Sequence, residues 1–389
     1  MGIFFMAGLA ASANIPPQSK YMENDALAAK ALANLKAYVA ENGYPGKGNC
    51  TIETAAVRKE WGSLPRSEKL DYIRAVQCLA KLPARTPAAI AAGAKSRYDD
   101  LVVTHIQQTF TIHGTANFLS WHRYYVWAFE QMLRNECGFK AHLPYWNWAH
   151  YAHDPASGPL LDGSDTSLSG DGSYVSGRNG SCILSEEQCS IRLAPGSGGG
   201  CVTKGPFKDW KINLGPLASL TLGLTPNPQA DGLGYNPRCL RRDINKQAAN
   251  ATNDFEVSSL IKNFNDIGTF QTVYQGLFAQ GQLGIHSGGH YQVGGDAGSD
   301  FYNSPAEPTF FPHHGMIDRV WWTWQNMDIK NRQYAIAGGT VLGNPGDPPL
   351  GPNGTLADTI TLGNYVGAAN ITIRDAMSSL AGPFCYIYA

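Results

Sequence analysis

Charge is scarce in this chain. Asp, Glu, Lys and Arg together make up 16% of it, and the formal net charge is -1, against about a quarter charged in an average soluble domain. No Lys/Arg block breaks that balance, which argues against nucleic acid and anionic membrane as partners. No run of about 20 apolar residues occurs, so the sequence offers no membrane span. No CxxC pair occurs either, which disfavours zinc-ribbon and thioredoxin-like sites. No Glu stands in a HExxH arrangement, the pattern of many catalytic zinc helices. A repeat of fixed period is absent, so an array architecture is excluded.

What is present is aromatic and histidine-bearing. The 389 residues are 43% hydrophobic and include nine Trp and eighteen Tyr. A chain of this length buries a large core, and the aromatics fit either an aromatic-rich core or a pocket for aromatic ligands. Eight cysteines form an even set: Cys50, Cys78, Cys137, Cys182, Cys189, Cys201, Cys239 and Cys385. Four disulfides are possible, and sequence alone does not choose the pairing. Sequons at Asn49, Asn179, Asn250, Asn353 and Asn370 join the cysteines in favouring a secreted, glycosylated chain. Residues 1–13 read as the apolar part of a signal peptide ending A-x-A, short and without a basic start; the alternative is a plain apolar arm.

Apolar spacing predicts a mainly α protein. Helices are expected over 23–42, closed by Asn42-Gly43, and over 53–62 and 66–82, the last closed by Pro83. Tyr98, Leu101, Val102 and His105 follow i, i+3, i+4, i+7 spacing on one helix face. Leu119, His122, Val126, Phe129 and Leu133 repeat the pattern on a second. His314, Ile317, Trp321 and Trp324 share a face of a helix expected to begin after Pro312. His286 and His290, four apart, fall on one side of a turn. Gly288 and Gly289 lie inside that turn and lower its helix propensity, so it needs tertiary or metal support. Residues 155–240 are rich in Gly, Ser, Pro and Cys and read as a long disulfide-tied insertion. Residues 338–356 read as loop, and Ile371–Arg374 and Tyr386–Tyr388 as short edge strands. Both histidine groups need the same core, so residues 14–389 are expected to form one domain.

Six of the ten histidines thus fall into two groups: His105, His113 and His122, then His286, His290 and His314. A single His on an apolar face is ordinarily a satisfied core residue. Six buried imidazoles without partners would each cost free energy, whereas a metal takes one ring nitrogen and a neighbouring acceptor takes the other N–H. No Asp, Glu or thiolate stands at a matching position, which weakens a di-iron carboxylate site. Three His per ion with open positions suit catalytic zinc. Two such triads facing each other in a helix bundle suit a copper pair that binds O2 between them.

The motifs carry a specific resemblance. His113 and His122, followed by Arg123 and Tyr124 and then Pro144-Tyr145-Trp146-Asn147-Trp148, resemble the first copper motif of tyrosinases and catechol oxidases. His286 and His290, with Phe311-Pro312-His313-His314-Gly315-Met316-Ile317-Asp318-Arg319, resemble the second. The match covers roughly residues 95–150 and 265–330 and is similar to short fungal polyphenol oxidases. It implies a central antiparallel four-helix bundle holding two copper ions, with O2 as cosubstrate and small phenols as substrates. It implies His314, the second of the His-His pair, as a ligand. Asp318 is similar to the family's aspartate that orients neighbouring groups, against the alternative of a surface salt bridge. Many relatives carry a Cys two residues before the second ligand, linked to that His; here the position is Thr111. Tyr386-Ile387-Tyr388 resembles the motif that precedes a C-terminal plug, and the sequence stops one residue later, so an open site is expected.

The resemblance also frames substrate choice. Hydroxylation of monophenols is attributed in the family to a Glu-held water and an Asn after the first ligand of the second copper. Here Ser287 follows His286, and Gln282 stands four residues before it. Phe301 stands where the family places either a small residue or a bulky gate over the first copper; ordinary core is the alternative. These residues imply a catechol oxidase with weak or no monophenol hydroxylation. The competing expectations are a full tyrosinase, a haemocyanin-like O2 carrier and a zinc hydrolase.

Overall fold

The computed structural model describes residues 22–389 except Lys47, Leu184, Ser185, Gln188, Leu222, Asn344 and Pro345. The signal-peptide expectation for residues 1–13 lies outside the described residues. The protein is mainly helical. Helices α1 (Glu23–Asn42), α2 (Arg66–Leu79), α3 (Arg97–Ile112) and α4 (Phe118–Cys137) fill the first third of the chain. Downstream come α5 (Lys246–Ala249), α6 (Asp254–Asn263), α7 (Ile267–Gln275), α8 (Gly284–Val293) and α9 (Phe310–Met327). Strand β1 (Ala56–Arg58) precedes α2. Between α4 and α5 lie short strands β2 (Gly172–Tyr174), β3 (Ser181–Cys182), β4 (Arg192–Leu193), β5 (Gly199–Val202), β6 (Lys211–Ile212) and β7 (Arg238–Cys239). Strands β8 (Thr359–Ile360), β9 (Ile371–Thr372) and β10 (Tyr386–Tyr388) end the chain.

Local chemistry sets the helix ends. Ser96 caps α3 through a reciprocal box with Asp99, satisfying two otherwise orphaned N–H groups. Gly138, at φ 65°, closes α4 in the left-handed region. Helix α9 starts at Phe310 rather than after Pro312. Pro312 sits in its first turn, where a missing N–H costs nothing. Helices α3, α4, α8 and α9 form the bundle core, with α1 packed on α9 and α2 on α4. Phe129 of α4 and Phe311 of α9 stack at 3.5 Å between centroids, and seven tryptophans, among them Trp121, Trp146, Trp148 and Trp321, are almost fully buried.

The expected helix over 53–62 is not formed. Ala56–Arg58 pairs instead, in parallel, with Tyr386–Tyr388, and Cys50–Cys385 ties the two segments together. Backbone pairing with a strand from the far end of the chain overrides local helix propensity there. The Tyr386 and Tyr388 strand is buried, and the β9 pairing stops at Thr372, before a 3-10 turn over Arg374–Ala376. The described residues of 155–240 run as short strands, turns and loops, with Cys182–Cys189 and Cys201–Cys239 among them. Ion pairs anchor the end of this segment and the residues just after it to the core, half-buried Arg238 to Asp296 at 2.5 Å and buried Arg242 to Glu307 at 2.6 Å. The fourth disulfide, Cys78–Cys137, joins α2 to α4. Among the described residues no helix is long and apolar enough to cross a membrane.

Two buried carboxylates beside the β1–β10 pair are tuned in opposite directions. Burial alone would raise Glu130, but the Arg58 guanidinium at 2.7 Å outweighs it and holds the group at about 2. Glu60 is raised by burial to about 7 against the weaker pull of His150. Glu130 therefore adds stability that is present above its unfolded value and lost as pH falls toward 2. Glu60 keeps in the folded state a proton that the unfolded chain releases, so it withdraws stability as pH rises from 4.5 to about 7. Glu60→Gln is expected to remove that second loss, worth up to about 3 kcal/mol. Urea midpoints at pH 5 and pH 8 for both proteins measure it, and an unchanged difference between the two pH values would contradict the assignment.

Candidate metal centre

Four core helices and one helix end carry the six histidines. His105 lies on α3, His122 on α4, His286 and His290 on α8, and His314 on α9, while His113 is the residue that closes α3. In the first triad each ring is aimed by a bond from Nδ1–H to a backbone carbonyl. The acceptors are Tyr302 for His105 (2.8 Å), Thr109 for His113 (2.9 Å) and Phe118 for His122 (2.7 Å). The last two are carbonyls four residues back, one helical turn away, so the helix orients its own imidazoles. That leaves Nε2 as the free nitrogen, and in His105 and His122 it is buried without a partner. Potential ligand atoms of the three rings lie within 4.8 Å of one another.

The second group converges more tightly. Nε2 of His290 lies 3.3 Å from Nε2 of His286 and 3.3 Å from Nε2 of His314. Three neutral imidazoles cannot all satisfy one another at such a point, because a lone pair facing a lone pair is repulsive. A cation there would take all three lone pairs. The two groups also face each other: the His122 and His314 rings stack at 4.6 Å and 15°, and His113 lies 6.0 Å from His286. Burial pushes the six rings toward the neutral form, His113 down to about 4 and His290 to about 3, and neighbouring imidazoles reinforce it for all but His113. Neutral imidazole is the form that ligates a metal. Orphaned nitrogens, convergence and neutrality together fit two soft-to-borderline cations on all-nitrogen sites, as copper prefers.

His313 joins the second group by distance but is held differently. Trp148 Nε1 donates to its Nδ1 at 3.0 Å. The interior glycines of α8 serve this packing. A Cβ on Gly289 would meet His313 Cε1 at 2.3 Å and Trp148 Nε1 at 3.2 Å, and one on Gly288 would meet Ala251 at 2.9 Å. The turn is thus stabilised by close tertiary approach in spite of its low propensity.

The remaining residues singled out in the sequence divide. Phe301 does reach the site, with its ring 4.6 Å from His113. Ser287 is next to His286 but spends its hydroxyl on the Gln275 carbonyl (2.7 Å). Gln282 does not join them. It is exposed on the turn bridged by Leu277 and Gln282, in an outer groove with Leu193, Gln247 and Leu283. Asp318 is neither a surface ion pair nor a group facing the histidines. Its oxygens accept from Arg123 Nε (2.6 Å) and from the Tyr386 and Tyr388 hydroxyls (2.5 Å each), with Arg58 at 3.5 Å. Burial would raise this carboxyl, but Arg123 and Arg58 hold it below the ordinary range. It fastens α4 to α9 and to β10, behind His122 and His314. Thr111 is exposed, its hydroxyl bonded to the Gln108 carbonyl.

Sequence reasoning missed three parts. Phe310 stacks on His314 at 4.1 Å. Phe118 lies 4.9 Å from both His122 and His286. Gln275, at the end of α7, accepts Gly114 N–H on Oε1 at 2.8 Å while its carbonyl takes Ser287, so it straps the His113 turn to the His286 turn. Phe310 precedes the noted Phe311-Pro312-His313-His314 motif by one residue and was visible there. Gln275 gave no signal, because it is eleven residues before His286 across a glycine-rich turn.

Comparison with known proteins agrees with this geometry. The model of the common central domain of tyrosinase matches residues 95–327. The tyrosinase-like protein orsC of Emericella nidulans is 41% identical over 314 residues, 78% of this chain and 83% of that protein. Tyrosinase P of Aspergillus terreus is 39% identical over 333 residues, 85% of this chain and 91% of that one. A solved polyphenol oxidase mutant from Thermothelomyces thermophila superposes with a TM-score of 0.85 at 39% identity, covering 94% of this chain and 98% of that chain.

Gly289→Ala tests the packing of the site. The added methyl is expected to displace His313 and lower stability by about 1–3 kcal/mol, with a loss of bound metal measured on the same preparation. Wild-type melting temperature and metal content would show that the close approach is unimportant.

Proposed function

The chain belongs to the tyrosinase family, which makes it an oxidoreductase of phenols, and from that premise we propose that it is a catechol oxidase. In this reading His105, His113 and His122 hold one copper, and His286, His290 and His314 hold the other. Bound copper supplies electron exchange between the phenol and O2. Each catechol gives up two electrons and two protons and leaves as an o-quinone, so two catechols reduce one O2 to two waters. The residues of the chain aim the imidazoles, keep them neutral and exclude competing ligands. Phe301, against His113, narrows the approach to the first triad, and His290, the half-buried ligand, offers a face for the substrate ring. His314 is preferred to His313 as the ligand because His313 Nδ1 accepts from Trp148 Nε1–H, so in the neutral ring Nε2 carries the proton and has no lone pair to give.

The observation that carries the preference for diphenols is the chemistry around Gln275. Monophenol hydroxylation requires a base that takes the phenolic proton. The group that reaches both turns here is an amide, with Oε1 taken by Gly114 N–H. The neighbouring Ser287 hydroxyl is also engaged, and the two ligand-distance clusters contain histidine alone. Full tyrosinase activity is the second reading, favoured by relatives that carry that name. Four disulfides support a secreted protein, and all five sequon asparagines are exposed.

His290→Ala is expected to retain about one copper per chain and to lose oxidase activity; two full coppers in that variant would contradict the ligand assignment. On paired substrates, 4-methylcatechol and 4-methylphenol, with any lag removed by a trace of diphenol, the diphenol should be turned over at least about a hundredfold faster, the low end of what one acid–base catalyst contributes. Comparable rates would make the protein a full tyrosinase.

A further inference from the structure

An apolar ridge leads from solvent to His113. Phe110, on the last turn of α3, is 53% exposed. Its ring meets Tyr302 edge-on at 5.5 Å, Tyr302 meets Phe301 at 5.5 Å, and Phe301 lies 4.6 Å from His113. Beside it runs the loop that follows Gly338. Leu342 N–H donates to the Phe110 carbonyl at 2.8 Å, Gly343 N–H to the Gly114 carbonyl at 3.0 Å, and Ala116 N–H to the Gly339 carbonyl at 2.9 Å. These bonds fix the loop against the His113 turn. Gly114, at φ 59°, permits the approach, since a Cβ there would lie 2.1 Å from the Gly343 carbonyl oxygen and 3.0 Å from Leu342 Cδ1. Leu350 packs on Gly343 and is 78% exposed, and Leu342 is 37% exposed.

Large side chains left in water on a braced surface, continuous with a buried reactive centre, ask for an apolar occupant. None of Phe110, Tyr302, Leu342 and Leu350 carries a charge. The charge in residues 338–350 is Asp347, and the Gly346 N–H beside it is turned onto Thr272 Oγ1 of α7 at 2.9 Å. We infer that Phe110, Tyr302, Leu342 and Leu350 form an outer subsite for an uncharged aromatic or aliphatic substituent on the catechol ring, so that the preferred substrates are apolar substituted catechols and not zwitterionic ones. The inference rests on the proposed oxidation of catechols at the two triads. The occupant is the substrate's own tail because the ridge ends at His113 and Phe301. A catechol seated between the triads would project its 4-substituent past Phe301 toward Phe110.

The test compares 4-phenylcatechol with 4-methylcatechol on the copper-loaded enzyme. Covering one face of the extra ring removes on the order of 50 Å² from water, about tenfold in affinity. The ratio of kcat/KM for the phenyl over the methyl compound is therefore expected near ten, with 3,4-dihydroxyphenylalanine below both. Phe110→Ser and, separately, Leu350→Ser should each reduce that ratio severalfold; both positions are exposed, so folding is spared. Anaerobic calorimetric titration of the same two catechols into protein whose copper has first been reduced leaves no oxidant, so it reads binding without turnover and should show the same preference. Retention of the anaerobic preference with no oxidation of either catechol would keep the subsite and overturn the catechol-oxidase reading. Equal handling of the two catechols by the wild type, or an unchanged ratio in both variants, would overturn the subsite.

Discussion

Everything in this fold serves one constraint, that six neutral imidazoles must point their free nitrogens inward in a dry core. Burial keeps the rings neutral, but neutrality does not aim them. The aim in the first triad comes from backbone carbonyls, two of them one helical turn behind the ring they hold. In the second it comes from convergence on one point at 3.3 Å spacings. Left alone, this arrangement strands several buried nitrogens, each at a cost of about 1–3 kcal/mol. Cation binding removes that penalty, so the site stores in the apo fold part of its affinity for metal.

Helices α4 and α9 bring the two triads face to face, and their spacing is fixed from behind. Asp318 follows His314 by one turn and Arg123 follows His122 by one residue, and these two groups meet at 2.6 Å in a fully buried pair. Arg58, Tyr386 and Tyr388 complete the network, so the first strand and the last clamp α4 and α9. A pair of this kind is unforgiving, because removal of one partner leaves a buried charge uncompensated. On the opposite side Gly289 lets α8 settle onto His313 and Trp148. Gln275 straps the His113 turn to the Ser287 turn.

The helices that carry the histidines were legible in the sequence because their periodicity and their chemistry coincide. Tyr98, Leu101, Val102 and His105 mark a buried face whatever the helix packs against, and the His313-His314 motif fixes α9. The segment over 53–62 was misread because its partner, Tyr386–Tyr388, lies at the other end of the chain, and local propensity carries no record of a distant strand. Asp318 was identified, but not as the hub that joins α4 to β10, since that depends on which helix faces it. The Gln282 expectation failed for a related reason. The glycine-rich turn before α8 breaks any fixed spacing, and the amide that reaches the site is Gln275, on another helix. Phe301, across a similarly irregular loop, did land against His113.

Two cupric ions, if held by the facing triads closely enough to interact, would pair their spins, whereas isolated cupric ions would not. The most direct measurement is total copper against electron paramagnetic resonance spin count on the oxidised, copper-loaded protein. Close to two coppers per chain are expected, with a spin count far below the copper content. One copper per chain, or a spin count equal to the copper present, would contradict a coupled pair between His105, His113 and His122 on one side and His286, His290 and His314 on the other.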